Sequence, residues 1–118
     1  MILADTSVWI DHFRNGSEPL VRLLENEEIL IHPMVIGELA CGHLPDREQV
    51  LEDLASLPTA GFASHAEVMS MIEDRALMGK GIGYIDAHLL AAVQLTPDTH
   101  LWTLDKRLAQ VAAQLSPY

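Results

Sequence analysis

The chain has 118 residues, of which 49% are hydrophobic and 20% are charged, a composition that argues against intrinsic disorder and fits one folded domain over residues 1–118. Seven Lys and Arg residues stand against 17 Asp and Glu, and the formal net charge of −10 argues against a protein that holds nucleic acid by its overall charge. No apolar run approaches the roughly 18 residues that span a bilayer, and no secretory signal precedes Asp5, so we expect a cytoplasmic protein without membrane contact.

In the first half of the chain, short apolar segments alternate with helical patterns. Asp5-Thr6-Ser7 provides residues that cap a helix N-terminus, and Pro33 stands at the favoured first position of another helix. Apolar residues recur at helical spacing between Pro45 and Leu57. The predicted elements are a strand at 2–4, a helix ending near Asn15, a helix at 18–25, a strand at 28–32, a helix from Pro33 to about Gly42, and a helix within 45–57.

The second half of the chain contains clear helix signals. Ser64 with Glu67 three residues later is a capping box. Gly79, Gly81 and Gly83 interrupt the chain before a segment that is apolar nearly all round, which predicts the most buried helix of the fold. The predicted elements are a helix from Ser64 through Leu77, a helix from about Tyr84 to Leu95, a strand over Leu101 to Thr103, and a last helix opened by Asp105. The alternation of strands and helices predicts a parallel sheet covered on both faces.

Four acidic residues stand out against this background, and we call them the acidic quartet. Asp5 and Asp105 follow predicted strands, while Glu38 and Asp86 interrupt apolar helical segments that offer them no solvated face. In open parallel sheets the ligand crevice lies beyond the carboxyl ends of the strands, so we expect the quartet to meet at that rim. Crowded carboxylates repel unless a cation joins them, and hard oxygen ligands favour magnesium, or manganese, over zinc. The quartet therefore predicts a divalent-metal site whose bound water can attack a phosphodiester.

The same motifs, in this order, resemble a known family. Asp5-Thr6-Ser7-Val8-Trp9-Ile10-Asp11, Glu38-Leu39 with Gly42, Asp86-Ala87, and Thr103-Leu104-Asp105 are similar to the motifs of PIN-domain ribonucleases, especially VapC-like toxins of bacterial toxin–antitoxin modules. The resemblance spans nearly the whole chain. It implies an α/β fold, a three-layer α/β/α sandwich around a mostly parallel sheet of four to five short strands. The sequence departs from the family's pattern at Ser116-Pro117-Tyr118, which follow soon after the last helix and leave little room for the usual closing strand.

The resemblance also implies a function: a magnesium-dependent endoribonuclease that forms a homodimer and is inhibited by a small cognate antitoxin with a basic DNA-binding part. The acidic quartet would hold the cation, with Asp5 and Asp86 as its anchors and Glu38 and Asp105 completing its shell through waters. Thr103, with Thr6 or Ser7, would be a polar neighbour of the site. The sequence departs from many relatives at His32-Pro33, where a serine or threonine often precedes the helix that carries the glutamate.

Other interpretations of these residues stay open at this stage. Asp5 and Asp105 are also in position to cap helices. A receiver-type signalling domain would use Asp5, Asp53 and Lys106, although Asp53 lies in a predicted amphipathic helix and not at a strand end. A PIN-fold interaction module without catalysis would keep the same scaffold.

The remaining chemistry-bearing residues are assigned no catalytic role. The histidines are scattered without the spacing of zinc ligands, and the segment Gly79 to Gly83 matches neither common phosphate-binding glycine motif. Cys41, the single cysteine, suits a reducing compartment and is expected to be a small buried residue. Lys80, Lys106 and Arg107 lie near the predicted rim, where they are either RNA phosphate contacts or solvated surface charges.

Overall fold

In the computed structural model, which describes residues 1–115, strands and helices follow one another in the predicted order. The elements are β1 (Ile2–Ala4), α1 (Thr6–Asn15), α2 (Glu18–Glu25), β2 (Ile29–Leu30), α3 (Pro33–Ala40), α4 (Arg47–Ser56), α5 (His65–Asp74), α6 (Tyr84–Leu95), β3 (His100–Trp102) and α7 (Lys106–Leu115). Helices pack around the sheet, as the predicted α/β/α arrangement requires.

The sheet has the order β2-β1-β3, and both strand pairs are parallel. Ile2 pairs with Ile29 on one side, and Ala4 pairs with Trp102 on the other. Leu3 is completely buried, as expected for the central strand of a sheet with helices on both faces. The carboxyl ends of β1 and β3 therefore lie side by side, and we call this edge the rim.

The prediction of four to five strands is wrong for residues 1–115, which contain three. A further pairing beside β2 is limited to an isolated parallel bridge between Ile31 and Thr59. On one side of the bridge Pro58 has no amide hydrogen to donate, and on the other side Pro33 also lacks one and begins α3. The pairing therefore cannot extend in either direction. Residues 116–118, where the sequence leaves little room for a closing strand, lie outside the described residues.

Local hydrogen bonds explain where the helices begin. Asp5 and Ser17 cap α1 and α2 by accepting from backbone amides in the first turn. His32 caps α3 in the same way through its ring. Ser64 and Glu67 form the predicted capping box of α5.

Helix α6 is the most buried helix of the described chain, as predicted, since every residue from Ala87 to Ala92 is buried. Leu89 packs into the core cluster that contains β1 and β2, and Leu90 packs into the cluster that contains α7. Helix α6 thus joins the two main parts of the core and fixes the position of its own N-terminus relative to the sheet.

The prediction that Cys41 is buried is wrong, because its side chain is exposed. Helix α3 uses Val35 and Leu39 for its buried face, and Cys41 follows the helix as its C-terminal cap. Within residues 1–115, we find no helix with both the length and the apolar character needed to cross a bilayer.

Candidate active site

Asp5 lies at the rim, immediately after β1. Its backbone amide donates to the carbonyl of Trp102 (2.9 Å) at the end of β3, and its side chain is only 5% exposed. The carboxylate Oδ1 accepts from Ser7 Oγ (2.5 Å) and from the Val8 amide (3.2 Å). The hydroxyl of Thr103 donates to the other oxygen, Oδ2. These donors fix the direction in which the carboxylate faces the rim.

Asp105 is tied to the same point through the segment that follows β3. Its amide donates to Thr103 Oγ1 (3.0 Å), and the neighbouring amide of Leu104 donates to Ser7 Oγ (3.0 Å). Asp105 Oδ1 accepts from two amides in the first turn of α7, at 2.8 and 3.2 Å. Asp5 and Asp105 therefore both act as helix caps while they lie at the rim.

Glu38 reaches the rim from α3. Thr6, the first residue of α1, donates from its hydroxyl to Glu38 Oε1 (2.5 Å). The expectation that Glu38 has no solvated face is wrong, because its side chain is exposed. Val35 and Leu39 form the buried face of α3, and Glu38 lies on the exposed face of the helix.

Asp86 lies in the first turn of α6, where its Oδ2 accepts from the amide of Gly83 (3.0 Å). Partial burial raises the pKa of Asp86, the bond from Gly83 opposes that rise, and the charges of Asp5, Asp105 and Glu38 raise the pKa further. The other three members of the quartet thus all act on Asp86 in the same direction, and no basic group is among the causes of the shift.

The quartet is an open arrangement and not a closed ligand set. Within residues 1–115, no group of three or more His, Cys, Asp or Glu side chains is spaced as ready ligands of a metal ion. In that same part of the chain, hydrogen bonds from protein donors reach only one carboxylate oxygen each in Glu38, Asp86 and Asp105. The second oxygens remain for water or a cation.

The supporting hydroxyls divide between two carboxylates. Thr6 donates to Glu38, whereas Thr103 and Ser7 donate to Asp5. Ser7 was predicted only as an alternative to Thr6 as a polar neighbour of the site, but both hydroxyls contact the quartet. The catalytic and metal-binding roles of these residues stay predictions.

A buried aromatic cluster that the sequence did not indicate connects α3 with α6. His32 Nδ1 accepts from the amide of Met34 (3.0 Å), so an imidazole nitrogen takes the acceptor role that a serine or threonine hydroxyl would have. The ring of His32 lies edge-on to His88, with centroids 6.0 Å apart, and His88 Nε2 is 2.8 Å from the Tyr84 hydroxyl. Within residues 1–115, His32 Nε2 and His88 Nδ1 are buried without a hydrogen-bond partner. The cluster links the N-termini of the helices that carry Glu38 and Asp86.

Acid is expected to destabilise the protein through His32. Burial, together with the nearby His88, lowers the pKa of His32 from 6.5 to about 4. As the pH falls, the unfolded chain therefore binds the proton first, and the free energy of unfolding should decrease between pH 6.5 and 4. Denaturant unfolding across this range should show a weaker pH dependence for His32→Asn, in which asparagine can still cap the helix. His43→Asn, at an exposed loop position, is the control; equal pH dependence in all three proteins would contradict the prediction.

Comparison with known proteins agrees with this geometry. The family model of the PIN domain matches residues 2–114, and the chain belongs to the PIN domain family. It is 46% identical over 114 residues to Ribonuclease VapC32 of Mycobacterium tuberculosis, from strain CDC 1551 / Oshkosh and from strain ATCC 25618 / H37Rv. The matches cover 97% of this chain and 92% of each relative. The predicted resemblance to VapC-like PIN ribonucleases is therefore confirmed.

The receiver-type alternative is set aside by this family membership. The structure also places Asp53 within α4, where its side chain accepts from Gln49 (2.7 Å). In a receiver domain Asp53 would have to follow a strand. Here it lies on a helix and accepts a hydrogen bond from a residue of the same helix.

Proposed function

We propose that this chain is a magnesium-dependent endoribonuclease and the toxin of a toxin–antitoxin module. The main support is the geometry of the rim, where hydrogen bonds hold Asp5 and Asp105 at the ends of β1 and β3 and Thr6 binds Glu38. The charges of these three carboxylates also raise the pKa of Asp86. Its similarity to proteins named Ribonuclease VapC32 adds the reaction class. A cation that relieves the repulsion and an RNA phosphodiester as substrate account for both observations.

The donor set fits magnesium, with manganese as a second candidate. Magnesium usually takes one or two carboxylates directly and keeps several waters, so it does not need four ligands already in contact. Hard carboxylate oxygens suit these ions better than zinc. A cation held this way supplies Lewis acidity and lowers the pKa of a water that attacks the phosphodiester.

The four carboxylates have different roles in this proposal. Asp5, oriented by Ser7 and Thr103, and Asp86, in the first turn of α6, are the proposed anchors. Glu38 and Asp105 would help to hold the cation through water, and the exposed carboxylate of Glu38 could accept a proton from the attacking water. Thr6 keeps one oxygen of Glu38 directed towards α1 and leaves the other for this step.

The charge of the chain suggests the chemistry of its protein partner. A net charge of −10 favours a partner with basic side chains, which is the character expected of a cognate antitoxin. In this proposal the toxin acts on RNA in the cytoplasm, as a homodimer, and a small basic antitoxin restrains it.

Cleavage of RNA and growth arrest test this proposal together. The purified protein should cut single-stranded RNA in magnesium and lose that activity in a chelator, because the quartet then repels substrate phosphates. Expression should halt growth, and co-expression of a short open reading frame immediately beside the gene should relieve the arrest. Undiminished cleavage in the chelator would contradict metal dependence. Absence of cleavage in both magnesium and manganese would favour a catalytically inactive interaction module.

A further inference from the structure

The basic residues of the chain are unevenly placed around the acidic quartet. The chain has seven Lys and Arg residues, and Lys80, Lys106 and Arg107 belong either to the loop before α6 or to the first turn of α7. These two segments adjoin Asp86 and Asp105. The four other basic residues, Arg14, Arg22, Arg47 and Arg75, lie elsewhere on the chain. Lys106 and Arg107 therefore place two positive charges directly after Asp105 in an acidic protein.

Arg107 is held at this position by two contacts. Its backbone amide donates to Asp105 Oδ1 (2.8 Å). Its side chain lies against Gly81, where an added Cβ would be 2.5 Å from Arg107 Cδ, 3.0 Å from Nη1 and 3.2 Å from Nε. Gly81 also has a φ of +79°, a conformation that other residues adopt only with strain. Because Gly81 has no side chain, the side chain of Arg107 can pack directly against its backbone.

The guanidinium of Arg107 is exposed and keeps its donors available. Within residues 1–115, we find no hydrogen bond from this guanidinium to another group, whereas Arg47 donates to the carbonyls of Gly42 (3.0 Å) and Ala40 (2.6 Å). The backbone of Arg107 adjoins the quartet at Asp105, and its side chain lies against the loop that leads to Asp86.

We propose that Arg107 binds a backbone phosphate of the RNA at the acidic quartet, and that Gly81 positions its side chain. The inference rests on the proposed function and adds a substrate contact to it. A planar guanidinium with paired donors matches a phosphate, and an acidic protein needs such a local contact to hold an anionic strand beside its carboxylates. Lys80 contributes less, because its ammonium already donates to Gln114 (3.2 Å).

Equilibrium binding tests the role of Arg107 directly. A fluorescent single-stranded RNA is titrated in magnesium with the Asp5→Asn protein, which is expected not to cut it, and anisotropy gives the Kd. Introducing Arg107→Ala into the Asp5→Asn protein should weaken RNA binding by about tenfold or more. It should also reduce the slope of log K against log salt by about 0.7, the value for one lost phosphate contact on a single strand. Arg22→Ala removes one charge from the last turn of α2, before the amino end of β2, and should change neither quantity.

Two glycines of one loop test the positioning role of Gly81. Gly79 has a φ of +73°, close to that of Gly81, but an added Cβ there meets nothing within 4 Å. Gly79→Ala and Gly81→Ala therefore share the backbone strain, and only Gly81→Ala displaces Arg107. Gly81→Ala should weaken RNA binding as much as Arg107→Ala, with no further loss in the double variant. Gly79→Ala should stay within about twofold of the parent, less than the contribution of one hydrogen bond to a charged group.

The outcomes separate this inference from the proposed function. Unchanged RNA affinity and salt slope in Arg107→Ala would overturn the inference, and so would equal effects of the two glycine substitutions. Parent protein that binds no RNA would overturn it as well. If wild-type protein cuts RNA but Arg107→Ala binds normally, only this inference fails. If binding depends on Arg107 but wild-type protein does not cut, the phosphate contact stands and the nuclease proposal fails.

Discussion

Replacing Asp5 with asparagine is expected to lower kcat/KM for RNA cleavage by about a thousandfold or more, a loss of about 4 kcal/mol in transition-state stabilisation. Asparagine keeps an oxygen that can accept from Ser7 Oγ and from the Val8 amide, so the cap of α1 should survive. The negative charge at the rim is lost, and with it the oxygen that accepts from Thr103. Cleavage rates in magnesium, with circular dichroism and thermal unfolding as checks on the fold, measure the effect.

Asp11→Asn is the matched control for this substitution. Asp11 lies on α1, accepts a hydrogen bond from Asn15 (2.9 Å), and is not among the charges that raise the pKa of Asp86. This variant should cleave RNA at close to the wild-type rate. Full activity of Asp5→Asn, or an equal loss in both variants, would show that Asp5 has no special role at the rim.

Asp86→Asn is expected to make the metal-free protein more stable and to abolish its stabilisation by magnesium. Asparagine can still accept from the Gly83 amide, while the repulsion from Asp5, Glu38 and Asp105 disappears. Wild-type protein should gain about 2.7 kcal/mol when magnesium is at a hundred times its Kd. Thermal unfolding with and without magnesium measures both effects.

The pH dependence of the same experiment has a defined sign. Because the folded-state pKa of Asp86 is raised above 3.8, the folded protein holds this proton at a pH where the unfolded chain has lost it. Metal-free wild-type protein should therefore lose stability as the pH rises through that range, and Asp86→Asn should lack this component. Stabilisation by magnesium should grow over the same range, because the cation binds the ionised carboxylate. Asp53→Asn, on α4, serves as the control and should behave as wild type in every condition.

The sequence predicted the scaffold well where local signals decide the structure. The Ser64–Glu67 capping box and the apolar α6 appear as predicted, because their causes lie within a few residues. The number of strands depended on the pairing beside β2, which Pro33 and Pro58 limit to one bridge, and partners across a sheet cannot be read from sequence spacing.

The placement of the candidate site was harder to predict in detail. Helix α3 is short and rich in apolar residues, so its sequence pattern did not reveal that Glu38 and Cys41 face solvent. The cap provided by His32 was missed because an imidazole nitrogen is not one of the usual capping groups. The contact between Gly81 and Arg107 joins distant segments and leaves no periodic signal in the sequence.

The position of β1 in the centre of the sheet has a consequence for biosynthesis. The ribosome makes Asp5 before its partner Thr103, which lies 98 positions later in the chain. A nascent chain on the ribosome cannot close the contact until β3 has emerged, so an incomplete translation product lacks the rim that the proposed nuclease requires. Long-range contacts of this kind form more slowly than local ones, so the rim is expected to be among the last parts of the described fold to form.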